Sequence, residues 1–250
     1  MPPDEELTPE STEVVEEPDI SFFAKLVGVV LDPRKTFRAV AARPQWVAPI
    51  LILMCVGLLF AILAQPVIIQ ELDSGKQMQQ LMERRNMTQE QAAQAIEMQK
   101  KFAGIGVLVS APLSEVATCL IFAVILLFVG NTILGGAAKF VAIFSAYAWA
   151  RLITVLGTAA KIPLVLSEKT IQVTLSPAIL LPGSDTGSLL YAVLSVFDIF
   201  HIWEAILVCF AMAAVYKITL QRSVSFVGTI YVVLAAVGIL LRELFHTGAV

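Results

Sequence analysis

Between Arg43 and Glu71 the chain carries no charged side chain: "PQWVAPILILMCVGLLFAILAQPVIIQ" is 27 residues of almost unbroken apolar sequence. As a helix it is about 40 Å long, more than the roughly 30 Å of a bilayer's hydrocarbon core. The run therefore predicts a helix that crosses a membrane. It is also one of several. Lys101 is followed only by Glu115, Lys139 and Arg151 before Lys161. The whole chain is 58% hydrophobic and 15% charged, with a mean hydropathy of +0.82, whereas a soluble domain is nearer half apolar and a quarter charged.

A spanning helix needs about 20 apolar residues, and five segments meet that requirement: 47–69, 105–129, 137–160, 196–215 and 224–241. The expected fold is an all-α integral membrane protein, a five-helix transmembrane bundle. Residues 1–20 read as a disordered acidic tail. Residues 1–19 hold eight acids and no Lys or Arg, and without aromatics they cannot bury enough apolar area to order. With neither a positive n-region nor an apolar h-region, the tail is not a signal peptide.

Residues 21–46 read as two short amphipathic helices leading into the first span. Phe22, Phe23, Leu26, Val27 and Val30 form an apolar face on the first. Asp32 suits an N-cap and Pro33 the first helical position of the second. On that second helix Phe37, Val40 and Ala41 oppose Arg34, Lys35, Arg38 and Arg43, a pattern suited to an anionic membrane surface. Trp46 sits where an interfacial aromatic anchor belongs.

A polar helical loop, 74–101, separates the first two spans. Met78, Leu81 and Met82 share one face, Asn86 interrupts it, and Thr88 with Gln91 makes a capping-box start for a further helix. Met78, Met82, Met87 and Met98 are soft ligands for Cu(I), but adaptable packing is the plainer reading. "TIQVTLS" at 170–176 alternates enough for an extended segment and is followed by the turn-rich "LPGSDTGS". Both are expected to pack over the mouth of the bundle. Cys55, Cys119 and Cys209 all lie in apolar runs, with no pairing or metal spacing.

Orientation rests on Lys and Arg near the spans. Eight fall on each side when the five spans alternate, and Arg151 lies within the third. The cluster Lys25, Arg34, Lys35, Arg38 and Arg43 before the first span breaks the tie and predicts a cytoplasmic N-terminus.

Within the spans, Ala138, Ala142, Ala146, Ala150, Thr154 and Thr158 recur every four residues. This small-residue stripe allows close helix approach, which drives association where lipid removes the hydrophobic difference. It places the third span centrally. The fourth span holds Asp198, His201 and Glu204. Ser195 and Asp198 fit a capping box. The spacing of the three side chains could also present metal ligands, but one helix rarely completes a site, and His246 is the only other histidine. Glu204 must protonate, reach water or find a partner. Arg151 is the natural partner and Glu115 the alternative. The intramembrane cluster Glu115, Arg151, Asp198, His201 and Glu204 is thus either architectural or part of a solute path. No catalytic, phosphate-binding or nucleic-acid-binding signature accompanies it, so no cofactor is expected.

Two stretches carry a resemblance. "DPRKTFRAVAARPQWVAPI" combines Asp32-Pro33, Phe37 and Pro44-x-Trp46-x-x-Pro49; "DIFHIWEAIL" combines Asp198, Phe200 and Trp203. Together with the layout of Phe22 to Leu241, they resemble the Yip1 family of multi-pass membrane proteins. The resemblance implies that 47–246 is a Yip1-like transmembrane domain of five helices, with a cytoplasmic N-terminus and no catalytic residues. Eukaryotic members are tied to vesicle trafficking and Rab GTPases. The short loops and the "DPRKTF" form look more like the bacterial branch, which implies a cytoplasmic (inner) membrane. Arg151, within "YAWARLIT", departs from the uncharged stretch that the resemblance implies. The expected role is non-enzymatic: organising membrane or binding a membrane-protein partner or a second copy of the chain, with the lipid bilayer as constant partner. A small transporter or channel using Glu115, Arg151, His201 and Glu204 is the alternative, and an intramembrane metal-dependent enzyme a third reading.

Overall fold

The computed structural model describes residues 20–72, 82, 87–181 and 188–247, the last three by backbone alone. The acidic tail to residue 19, Met78, Leu81, Asn86, most of "LPGSDTGS" and the His246 side chain lie outside the described set. Among the described residues the structure is helical, without strands. Its α-helices are α1 (Phe22–Leu31), α2 (Pro33–Ala42), α3 (Val47–Leu72), α4 (Gln89–Ile133), α5 (Phe140–Arg151), α6 (Ile153–Glu168), α7 (Leu189–Ser195), α8 (Ile199–Val215) and α9 (Leu220–Thr247). A 3-10 turn at Pro177–Leu180 precedes α7.

Four helical stretches are long and apolar enough to cross a bilayer: Val47–Glu71, Gln89–Ile133, Phe140–Glu168 and Leu220–Leu244. The count reaches five if the bent pair α7 and α8, which meet at 47°, is taken as one span, the fourth in chain order. The all-α membrane bundle is therefore the observed fold. The second span is the longest. Thr88 Oγ1 accepts from the Gln91 backbone N–H at 3.3 Å while Gln91 Oε1 accepts from Thr88 N at 3.0 Å. This capping box starts a 45-residue helix, about 67 Å long. Its first turns lead directly into the membrane span, with no separate loop between them. α3 lies against it, and Gln65 Nε2 donates to the Gly104 carbonyl at 3.2 Å. Pro66, Pro112 and Pro163 sit inside helices, as membrane helices tolerate when neighbours re-satisfy the backbone.

The third span is central, but not through a stripe along one face. Positions 143–150 are buried on every side. In its apolar stretch 61% of residues are covered by protein, against 17–28% in the other three long spans. Ala146 and Ala150 are fully buried, whereas Ala138, Ala142, Thr154 and Thr158 are half-buried. Leu152 also interrupts the stripe: its N–H bonds back only three residues, to the Trp149 carbonyl at 3.3 Å, and divides α5 from α6.

At the N-terminal side α1 and α2 form a hairpin. Asp32 Oδ1 caps α2 through the Lys35 N–H at 3.2 Å, with Pro33 in the first turn. Gly28 permits the close approach of Thr36, whose hydroxyl occupies the space that a Cβ would need. α2 turns its apolar side to the bundle, burying Thr36, Phe37, Ala39 and Val40 against α5 and α8 and leaving Arg34, Lys35 and Arg38 exposed. The expected apolar face of α1 is divided: Leu26 and Val30 pack against the core and Phe22 lies 5.8 Å from Trp149, while Phe23 and Val27, with Leu31 beyond them, are exposed, and Lys25 and Val29 are the fully buried residues. Lys25 is accommodated because its Nζ donates to Gln45 Oε1 at 2.9 Å. Gln45 is fastened in turn, its N–H donating to Ser145 Oγ at 2.9 Å and its carbonyl accepting from Trp149 Nε1 at 2.8 Å. These bonds lock the start of the first span onto the central helix.

At the same end the Tyr216 ring fills a notch between Gly130 and Gly136, whose missing side chains make room for it. Its hydroxyl donates to the Leu126 carbonyl at 3.1 Å. At the opposite end residues 170–176 run irregularly over the bundle. Ile171 N donates to Glu71 Oε1 at 3.0 Å, and Ile199 N to the Leu175 carbonyl at 3.4 Å.

Candidate functional site

The break at Leu152 immediately follows the most heavily charged point of the interior. Arg151 ends α5, and the Thr154 hydroxyl donates to its carbonyl at 2.8 Å, satisfying a group that the interrupted helix leaves without its regular partner. The Arg151 guanidinium reaches two other spans. Nε donates to Glu115 Oε2 of α4 at 2.9 Å, and Nη1 to Glu204 Oε1 and Oε2 of α8 at 3.2 and 3.4 Å. Tyr147, one turn earlier on α5, donates its hydroxyl to Glu204 Oε1 at 2.7 Å. Planar guanidinium geometry suits this forked use, which a lysine could not reproduce.

The three charges differ in shelter: side-chain exposure is 3% for Glu204, 13% for Arg151 and 24% for Glu115. Glu115 stands 18 residues before the end of α4 and Glu204 11 before the end of α8, about 27 and 16 Å along their axes and so inside a core of roughly 30 Å. α3 passes beside the cluster at Gly57, where a Cβ would stand in ordinary contact, 3.5 Å, with Glu115 Cγ and the Ala111 carbonyl oxygen. Phe122 stacks flat on Tyr147 at 5.1 Å and tilts against Tyr231 at 5.7 Å. The polar groups therefore sit in a dry aromatic and aliphatic wall, where a lone charge is costly and a paired one is held firmly.

Asp198 and His201 do not join this cluster. Asp198, 3% exposed, is the N-cap of α8, its Oδ1 accepting from Phe200 N at 3.0 Å. That corrects the expected capping box: Ser195 ends α7 instead, with its hydroxyl donating back to the Tyr191 carbonyl at 2.7 Å. Asp198 also pairs with Lys161 of α6 at 2.9 Å, a partner that sequence reasoning placed outside the spans and did not connect. His201 Nδ1 lies 3.6 Å from Asp198 Oδ1 but its side chain is 56% exposed. The Asp198, His201 and Glu204 side chains thus diverge, and among the described residues no three His, Cys, Asp or Glu side chains converge as metal ligands. Tyr147 is the member of the cluster that the sequence did not single out. Its position four residues before Arg151 was the available signal, since i and i+4 share a helix face.

The arrangement can hold three spans in register. No curated protein and no solved structure matches the chain. A family model does, the Yip1 domain, over residues 27–241, a stretch that contains α2, the apolar helices from α3 to most of α9, the Arg151 cluster and the Asp198–Lys161 pair. Its apolar helices make the chain an integral, multi-pass membrane protein, and with a match over most of its length it belongs to the Yip1 family.

Proposed function

We propose that this chain acts without enzymatic chemistry, as a membrane-organising or partner-binding protein, and that the Glu115–Arg151–Glu204 cluster is an architectural clamp for that role. The observation that carries the reading is the pairing itself: one guanidinium engages both carboxylates, and Tyr147 adds a further donor to the more buried one. Such a clamp fixes which helices meet. It leaves the outer faces of α4 and α9 apolar and exposed for lipid, for a membrane-protein partner or for a second copy of the chain. The basic cluster before the first span supports a cytoplasmic N-terminus, and the sequence resemblance to bacterial members supports an inner-membrane location.

The test is a double-mutant cycle on the full chain in detergent, using Arg151→Met and Glu204→Gln. An architectural pair predicts that each single change lowers the unfolding midpoint and that the double change recovers part of the loss. Co-purification from native membrane then identifies what the folded bundle binds.

One observation favours a second reading, a small transporter or channel using Glu115, Arg151, His201 and Glu204. Spans three and four are both interrupted near charged side chains, at Leu152 and just before Asp198, and broken helices commonly line polar paths in membranes. Single variants that fold with normal stability but abolish ion or solute flux in liposomes would establish that reading and displace the clamp.

A further inference from the structure

The rotation of α1 is fixed by its buried residues. Lys25 and Val29 point into the protein, Lys25 held by Gln45 at 2.9 Å. Positions two residues away on a helix are turned by about 200°. Phe23, Val27 and Leu31 must therefore face outward, and they do, at 75%, 56% and 77% exposure. On α2, Arg34, Lys35 and Arg38 are exposed opposite its buried face. An apolar stripe and three cations thus share one hairpin, tied by Gln45 to the start of the first span, where Trp46 is 41% exposed.

From this juxtaposition we infer that the α1–α2 hairpin is a binding site for anionic phospholipid, with acyl chains against Phe23, Val27 and Leu31 and the headgroup phosphate against Arg34, Lys35 and Arg38. Charge complementarity selects the occupant. A zwitterionic lipid satisfies the stripe but offers the cations a phosphate already balanced by its own ammonium, whereas an anionic one meets both with a net charge. Basic residues beside the apolar segments of a membrane protein favour anionic headgroups in the same way. Sequence reasoning anticipated both helices of residues 21–46 as interfacial. In the folded chain α2 supplies the charges and α1 the apolar contact.

The experiment uses the full chain carrying Trp203→Phe, reconstituted in phosphatidylcholine nanodiscs. Trp149 is fully buried, so Trp46 reports on the hairpin. Brominated phosphatidylglycerol is compared with brominated phosphatidylcholine, at equal mole fraction, as a quencher of tryptophan fluorescence. The expected result is an apparent association about tenfold stronger for the anionic lipid, which corresponds to ~1.4 kcal/mol. The triple variant Arg34→Gln, Lys35→Gln, Arg38→Gln should lose the preference while quenching by brominated phosphatidylcholine stays unchanged, which shows that the bundle remains folded. Equal quenching by the two lipids in the unaltered hairpin overturns the proposal. So does a preference that survives the triple change, or one erased by an added acidic peptide, which would assign the cations to a protein partner.

Discussion

Two ion pairs among the described residues place a buried carboxylate against a cation in different ways. Glu204 lies deep in the bundle and is met by a guanidinium and a phenol from one helix, with the same guanidinium continuing to Glu115 on another. Asp198 sits at the bend between α7 and α8, where a lysine and its own helix's backbone share it. Both acids are almost fully covered, but their partners are not equivalent: the Arg151 side chain is 13% exposed and that of Lys161 26%. The difference teaches that burial of the acid alone does not set the cost of breaking a pair. What remains after the break does, because a charge stranded among apolar walls has no water to turn to, whereas an N-capping acid keeps its backbone bonds.

The sharpest way to break the comparison is to remove the cation on each side. Arg151→Met strands Glu204 and should destabilise the fold by about 3–5 kcal/mol, the range for leaving one partner of a buried pair. Lys161→Met should cost clearly less, near 1 kcal/mol, because Asp198 retains the Phe200 N–H. Unfolding midpoints of the two variants in the same detergent check the order. Equal losses would mean that the bend is as dry as the clamp.

Tyr147→Phe sharpens the clamp side. It removes the 2.7 Å bond to Glu204 while keeping the ring stacked on Phe122. A hydrogen bond to a charged group is worth about 1.5–3 kcal/mol, so the variant should fall between the two cation removals. If its stability matches the unaltered chain, Arg151 alone satisfies Glu204.

Gly157→Ala probes the other side of the bend without touching a charge. A Cβ there would meet the Phe200 ring at 2.9 Å, so α6 and α8 must separate slightly, at about 1–3 kcal/mol. The same unfolding measurement reads it, and a neutral result would show that Phe200 can swing away.

How much of this was legible follows from physical range. The spans were legible because about 20 apolar residues in succession have few other destinations. The caps at Asp32 and Thr88 were legible because capping chemistry is local to four residues. The burial of Lys25 was not: a lysine on a short amphipathic helix reads as solvent-facing, but it could be covered once Gln45, twenty residues later, supplied an acceptor. Arg151 and Glu204 could be suspected of pairing because a bilayer interior offers little else. That Glu115 joins them, and that Asp198 turns to Lys161, depends on helix rotation and on the bend before Ile199. Neither is encoded in spacing along one helix. The small-residue stripe suggested a single contact face, but residues on all sides of α5 are covered, so composition could not tell a stripe from a fully surrounded helix.

The finest cut separates the two jobs of Asp198. Asp198→Asn keeps an oxygen able to accept from the Phe200 N–H but loses the charge that Lys161 meets, and Asp198→Ala loses both. Replacing a capping Asp or Asn by Ala costs about 0.5–2 kcal/mol, so Ala should fall below Asn by that amount, while Asn alone should fall about 1 kcal/mol below the unaltered chain. His201→Ala is the control. Its side chain is largely exposed and 3.6 Å from Asp198, so a change within about 0.5 kcal/mol is expected. Should His201→Ala instead cost as much as Asp198→Asn, the imidazole would count as a partner of the bend, and the pair would become a three-membered site comparable to the Arg151 clamp.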